Sequence, residues 1–125
     1  MERRNDEFKE VLREGWIDKR SRVLKSWRQR WMVLTPQFLY TFKERQAYNA
    51  GPTECIRLAA CISVKSAEDD LRMDNTFRLD APERTYFFRA KDAAQKETWI
   101  GAIGRAMVRP TVMRSKSEED MLNQT

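Results

Sequence analysis

Gly15-Trp16-Ile17-Asp18-Lys19-Arg20-Ser21-Arg22-Val23-Leu24-Lys25-Ser26-Trp27-Arg28-Gln29-Arg30-Trp31-Met32-Val33-Leu34 is the stretch on which the reading of this chain turns. Trp16 opens a first strand, polar and basic residues around Ser21 fit a turn, and Trp27 to Leu34 fits a second strand. From Lys19 to Arg30 there are six basic side chains and no acidic one, while the whole chain has a net charge of +5, so the remainder sums to −1. Positive charge is therefore concentrated on one hairpin, an arrangement suited to capturing phosphate groups.

Outward from this hairpin the strand signals continue. Thr35-Pro36-Gln37 reads as a turn and Phe38-Leu39-Tyr40-Thr41-Phe42 as a third, aromatic strand. Lys43 to Pro52 is a polar loop closed by Gly51-Pro52. Short apolar runs follow at Cys55-Ile56-Arg57-Leu58 and Cys61-Ile62-Ser63-Val64, then a polar, acidic loop from Ser66 to Asn75. Thr76 to Asp80 alternates, Ala81-Pro82-Glu83-Arg84 turns, and Thr85 to Arg89 is a further strand. Strands at this spacing predict an antiparallel sandwich or barrel.

The period then changes. Asp92 is placed to cap a helix in which Trp99, Ile103 and Met107 recur every fourth residue, with Ile100 and Ala106 widening the stripe. Pro110 is expected to limit that helix, leaving 109–125 as a polar tail in which Ser117-Glu118-Glu119-Asp120 could cap a short helix. Before the hairpin, Phe8, Val11 and Leu12 at i, i+3, i+4 predict a short amphipathic helix within a 1–13 extension. The fold expected is mainly β, an antiparallel sandwich or barrel closed by one C-terminal helix.

Composition excludes several classes of function. The chain has 125 residues, 41% hydrophobic, enough for one modest core. No apolar run approaches the roughly 18 residues of a membrane span, and Met1 to Asp6 offers no secretory h-region. Glu at position 2 does not allow N-myristoylation of the chain as it stands. With no histidine, the usual general base and the His-based triads and metal sites are missing, and neither a Gly-rich phosphate loop nor metal-ligand spacing is visible. No catalytic residue, metal or cofactor is therefore expected. Cys55 and Cys61 are read as reduced core thiols of a cytoplasmic protein.

Strands in this number followed by one helix with a core-facing Trp resemble the pleckstrin homology (PH) family. Gly15-Trp16, the basic turn, and Lys25-x-Trp27-Arg28-x-Arg30-Trp31 resemble its phosphoinositide signature, with Phe77-x-Leu79, Tyr86-x-Phe88 and Glu97-x-Trp99-Ile100 at its later elements. The likeness covers residues 14 to 108, which are expected to form the domain. Ile62 to Asp69 and Trp99 to Arg105 further resemble small proteins that are little more than one PH domain, in plants and in an acylated form from apicomplexan parasites whose family ligand is phosphatidic acid. The resemblance implies a signalling module that binds phosphoinositide or phosphatidic acid. In tightly binding members a Tyr often stands on the third strand where this chain has Thr41. A cationic nest for one exposed phosphomonoester fits that difference.

On the second strand Arg28 and Arg30 project to one side, and Lys19 on the first faces the same opening. Asp18 should point away. Arg binds phosphate through forked paired bonds and Lys adds a point charge, each such bond being worth roughly 1.5–3 kcal/mol. Lys19, Arg20, Arg22, Lys25, Arg28, Arg30 and Lys43 are the expected headgroup ligands, with Arg45 as a possible addition or an ordinary loop charge. Val23-Leu24 at the hairpin tip are expected to insert into the lipid interface, each contributing on the order of 1–2 kcal/mol; folding back on Trp27 is the alternative. The expected function is a non-catalytic membrane-recruitment module, monomeric, cytoplasmic and peripherally bound to an anionic phospholipid surface. The alternative is a protein-interaction or adaptor domain with a protein partner. A nucleic-acid partner is not expected, because the charge is local and the aromatics fall at core positions.

Overall fold

In a computed structural model of the chain, Phe8 and residues 10–123 are described, with side chains described as far as Val108. Seven strands, β1 (Arg13–Arg20), β2 (Trp27–Leu34), β3 (Phe38–Phe42), β4 (Glu54–Arg57), β5 (Ser63–Ser66), β6 (Thr76–Asp80) and β7 (Thr85–Arg89), form one antiparallel sheet. Its order is β4-β3-β2-β1-β7-β6-β5. Two meanders thus meet where β1 pairs with β7, at Asp18 with Arg89 and Lys19 with Phe88.

Alternation along each strand sorts the side chains into two sets. Ile17, Met32, Leu34, Leu39, Ile56, Phe77, Leu79 and Phe88 turn inward to a shared core. The following helix, α2 (Ala93–Asn123), lays Trp99, Ile103 and Ala106 into the same core and packs on β5, β6 and the 3-10 turn Leu58–Ala60. Its start is fixed by Asp92, whose Oδ1 accepts the Gln95 N–H at 2.8 Å. The expected stop at Pro110 does not occur: α2 runs to Asn123. A proline removes one backbone donor and costs a helix about 3 kcal/mol, which disfavours continuation without forbidding it.

The opposite face of β2 and β3 carries a second cluster of Trp31, Val33, Tyr40 and Phe42, covered by Phe8, Val11 and Tyr48. Phe8 stacks on Tyr48 with ring centroids 4.5 Å apart. Here the sequence reading is corrected. Residues 10–12 are not helical, because the Leu12 N–H donates to the Leu34 carbonyl at 2.7 Å and leads into β1. The rest of the expected helix, apart from Phe8, lies outside the described residues. The apolar stripe was real, but it follows strand pairing onto an aromatic face.

Two smaller differences have equally local causes. Ser66 to Asn75 holds one helical turn, α1 (Glu68–Leu71), tied down where the Glu68 carboxylate accepts the Asn75 N–H at 2.7 Å. The two cysteines are not joined in a disulfide, and Cys55 is exposed because its neighbour Ile56 takes the inward position on β4. Cys61 is half-buried, and burial pushes its thiol pKa up.

Candidate functional site

The strand directions bring the β1–β2, β3–β4 and β6–β7 turns to one end of the sheet. At that end the inward positions, which lower down hold Ile17, Met32 and Leu34, are occupied by Lys19, Arg28 and Arg30. Lys19 pairs across the strands with Arg28. Lys19, Ser21, Arg22, Arg28, Arg30, Lys43, Thr53 and Arg84 line a bowl of about 400 Å³. The apolar core lies beneath it: Lys19, Arg28 and Arg30 stand on β1 and β2, and Arg22, Lys43 and Arg84 reach in from the β1–β2, β3–β4 and β6–β7 turns.

Five of the seven expected headgroup ligands meet there: Lys19, Arg22, Arg28, Arg30 and Lys43. Arg20 does not. One step along β1 it turns to the other face, where its guanidinium lies 5.5 Å from the centroid of the Phe87 ring. Lys25 is also outside the lining. It adopts φ 57° in the hairpin turn, with its N–H donating to the Ser21 carbonyl at 3.1 Å. Arg45 sits over Trp31 at 5.4 Å, on the aromatic face. Val23 and Leu24 are 83% and 70% exposed at the hairpin tip, so they do not fold back under cover.

Thr41, where tightly binding relatives often have Tyr, is not among the residues that line the bowl. It is fully buried, and its hydroxyl lies 2.8 Å from that of Thr53, which does line the bowl. Thr53 also donates to the Thr41 carbonyl at 3.0 Å, so the β3–β4 connection is fastened to β3 beside the cations. On the outer side of that connection the Glu14 carboxylate accepts from Trp31 Nε1 at 3.0 Å and from the Tyr48 hydroxyl. Burial, then the bond to Glu14, push the Tyr48 phenol up to about 12, so it stays a donor at neutral pH.

Sequence reasoning missed Arg84, Thr53 and, above all, Glu54. Arg84 comes from the β6–β7 turn, and its guanidinium lies 4.2 Å from the centroid of the Tyr86 ring. Glu54 Oε1 lies 3.2 Å from Lys19 Nζ and 3.5 Å from Arg84 Nη1. Glu54 and Arg84 also line a neighbouring hollow of about 580 Å³, floored by Ile56, Ala60, Pro82 and Tyr86. The parity of β4 was the available signal: Ile56 inward places Glu54 inward too.

Residues 11–108 match the family model of the PH domain. The chain belongs to the PH domain family. Among curated proteins it is 35% identical over 114 residues to pleckstrin homology domain-containing protein 1 of Arabidopsis thaliana, covering 89% of this chain and 77% of that protein. It is 30% identical over 105 residues to human oxysterol-binding protein-related protein 9, of which it spans only 14%. Among solved structures, the C-terminal PH domain of pleckstrin in complex with D-myo-Ins(1,2,3,4,5)P5 is similar at 25% identity and a TM-score of 0.64, over 77% of this chain and 97% of that one. The Slm1 PH domain in complex with phosphoserine is similar at 28% identity and a TM-score of 0.61, over 74% of this chain and 91% of that one.

Proposed function

We propose that this PH domain is a non-catalytic membrane-recruitment module that binds the phosphate groups of anionic phospholipid headgroups, a phosphoinositide or phosphatidic acid. One observation carries the reading: cations from three separate turns converge on a single bowl built over the core. Arg28 and Arg30 supply forked donors for phosphate oxygens, Lys19 and Lys43 compact charge, and Arg22 and Arg84 close the sides. Each charge-assisted bond contributes roughly 1.5–3 kcal/mol, so two or three hold a headgroup at micromolar strength. Val23 and Leu24, exposed at the same end, enter the lipid interface while the cations hold the headgroup. The complexes of the pleckstrin and Slm1 domains, with an inositol phosphate and with phosphoserine, support the same chemistry.

The test is co-sedimentation at physiological salt with phosphatidylcholine vesicles, alone and with phosphatidylserine, phosphatidic acid or single phosphoinositides at matched surface charge. Selective pelleting with a phosphomonoester lipid supports the proposal and names the ligand. Equal pelleting with every anionic lipid reduces the bowl to a charged face. No pelleting removes the lipid reading and puts a protein partner first.

A further inference from the structure

The cationic bowl already has an occupant. Glu54 stands on β4 opposite Thr41, and its Oε1 bridges Lys19 from β1 and Arg84 from the β6–β7 turn, at 3.2 and 3.5 Å. One carboxylate oxygen thus holds two cations that belong to different meanders of the sheet. A phosphate oxygen would take the same two partners. The side chains of Lys19, Glu54 and Arg84 are only 15%, 21% and 19% exposed, so water screens this triplet weakly. The backbone does not depend on the bridge. The Thr53 N–H donates to the Thr41 carbonyl at 2.7 Å, and the hydroxyls of Thr41 and Thr53 meet at 2.8 Å. The neighbouring hollow of about 580 Å³, which Glu54 also lines, has room for its side chain once it lets go.

Resting on the lipid reading above, we propose that Glu54 is an intramolecular stand-in for the ligand's phosphate, an autoinhibitory contact that holds down the affinity of the bowl for every anion. A carboxylate attached to the site competes at an effective concentration of millimolar order. An anion takes Lys19 and Arg84 only where Glu54 has left them, so the apparent Kd is the intrinsic one divided by the fraction of molecules in which it has left. That fraction belongs to the protein, and a monoanion and a dianion lose the same factor to it. Repulsion from the displaced carboxylate adds to the loss, more for a dianion than for a monoanion. Glu54 therefore confers no preference for higher charge. It sets a threshold: capture requires the other cations, Arg28, Arg30 and Lys43, to act together with Lys19 and Arg84. In the empty bowl the same contact keeps Lys19 and Arg84 paired.

The experiment compares wild type with Glu54→Gln and Glu54→Ala. Inorganic phosphate, inositol 4-phosphate and the singly charged glycerophosphoglycerol are titrated by chemical-shift change. Phosphatidic acid and phosphatidylglycerol vesicles are tested by co-sedimentation, and thermal unfolding is followed with and without inositol 4-phosphate. We expect Glu54→Gln to bind every soluble anion about tenfold more tightly, the worth of one released charge-assisted bond, with the dianions gaining at least as much as glycerophosphoglycerol. Glu54→Ala, which cannot hydrogen-bond, should show the same rise. Both variants should melt below wild type when empty, because Lys19 and Arg84 have lost their bridge. Saturating inositol 4-phosphate should close that gap, since stability lost by the empty bowl is affinity gained on filling it. Lower stability with unchanged affinity, or affinities that fall, overturns the proposal and makes Glu54 a brace for Lys19 and Arg84. If soluble anions bind but no vesicle does, the lipid reading fails, and the soluble titrations decide on Glu54 by the same criteria. If neither binds any variant, both readings are overturned.

Discussion

Lys19 on β1 faces Arg28 on β2 across the hairpin, and both project inward over the core. Arg20, one residue on, pairs with Trp27 and sends its charge to the opposite face, against Phe87. Neighbours of equal charge thus have different tasks. Arg28→Ala should weaken binding of soluble inositol 4-phosphate by about tenfold, whereas Arg20→Ala should leave it unchanged. On vesicles Arg20→Ala should still lose the long-range attraction of one cation near an anionic surface, about 1 kcal/mol. Calorimetry and co-sedimentation of the two variants check this.

If the hairpin tip inserts into the interface while the bowl takes the headgroup, a tip variant should separate the two. Leu24 is 70% exposed, and no contact with the core depends on it. Leu24→Glu should reduce vesicle binding by about tenfold, consistent with losing 1–2 kcal/mol of interfacial burial, and leave soluble headgroup affinity untouched. A parallel loss of both would assign the tip to the bowl instead.

The two apolar clusters differ in depth, and their variants should differ in cost. Trp99 is 1% exposed within the main core, so Trp99→Ala should destabilise by about 3–5 kcal/mol. Phe8 is half-buried on the aromatic face of β2 and β3, stacked on Tyr48, so Phe8→Ala should cost about 1–2 kcal/mol. Urea unfolding followed by tryptophan fluorescence measures both. Phe8→Ala should leave headgroup binding intact, because its cluster lies on the other side of the sheet from the bowl.

Acid should weaken the fold through two carboxylates with lowered pKa values. For Asp80, burial acting alone would raise the pKa, but bonds from Ser63 and Thr85 and the charge of Arg78 outweigh it. For Glu68, the Asn75 N–H and then Lys96 lower it. A lowered folded-state pKa means stability that is fully present above the unfolded values, about 4, and lost as pH falls through the folded ones. Asp80→Asn should therefore melt lower than wild type at pH 7 and follow a shallower acid limb, the two converging as pH falls through the lowered Asp80 pKa. Circular dichroism melts across that range test the sign.

The hairpin sequence carried much of this account, for a physical reason. Strand alternation is a property of the chain itself, so Lys19, Arg28 and Arg30 could be placed together before any tertiary contact was known. The same rule, applied one residue further, would have turned Arg20 outward and Glu54 inward. Arg84 was harder to see, since only the pairing of β1 with β7 brings its turn to the bowl. The N-terminal stripe misled because i, i+3, i+4 spacing describes an apolar surface without saying what covers it. Leu12 found a strand partner in Leu34, and that bond decided the local conformation.

The most direct test of the central claim is a chemical-shift map of the isotopically labelled chain titrated with soluble inositol 4-phosphate. The expected result is saturable change at Lys19, Ser21, Arg22, Arg28, Arg30, Lys43, Thr53 and Arg84, lost in Arg28→Ala/Arg30→Ala. Change confined to Trp16, Arg20, Trp31 and Arg45 on the aromatic face would contradict it.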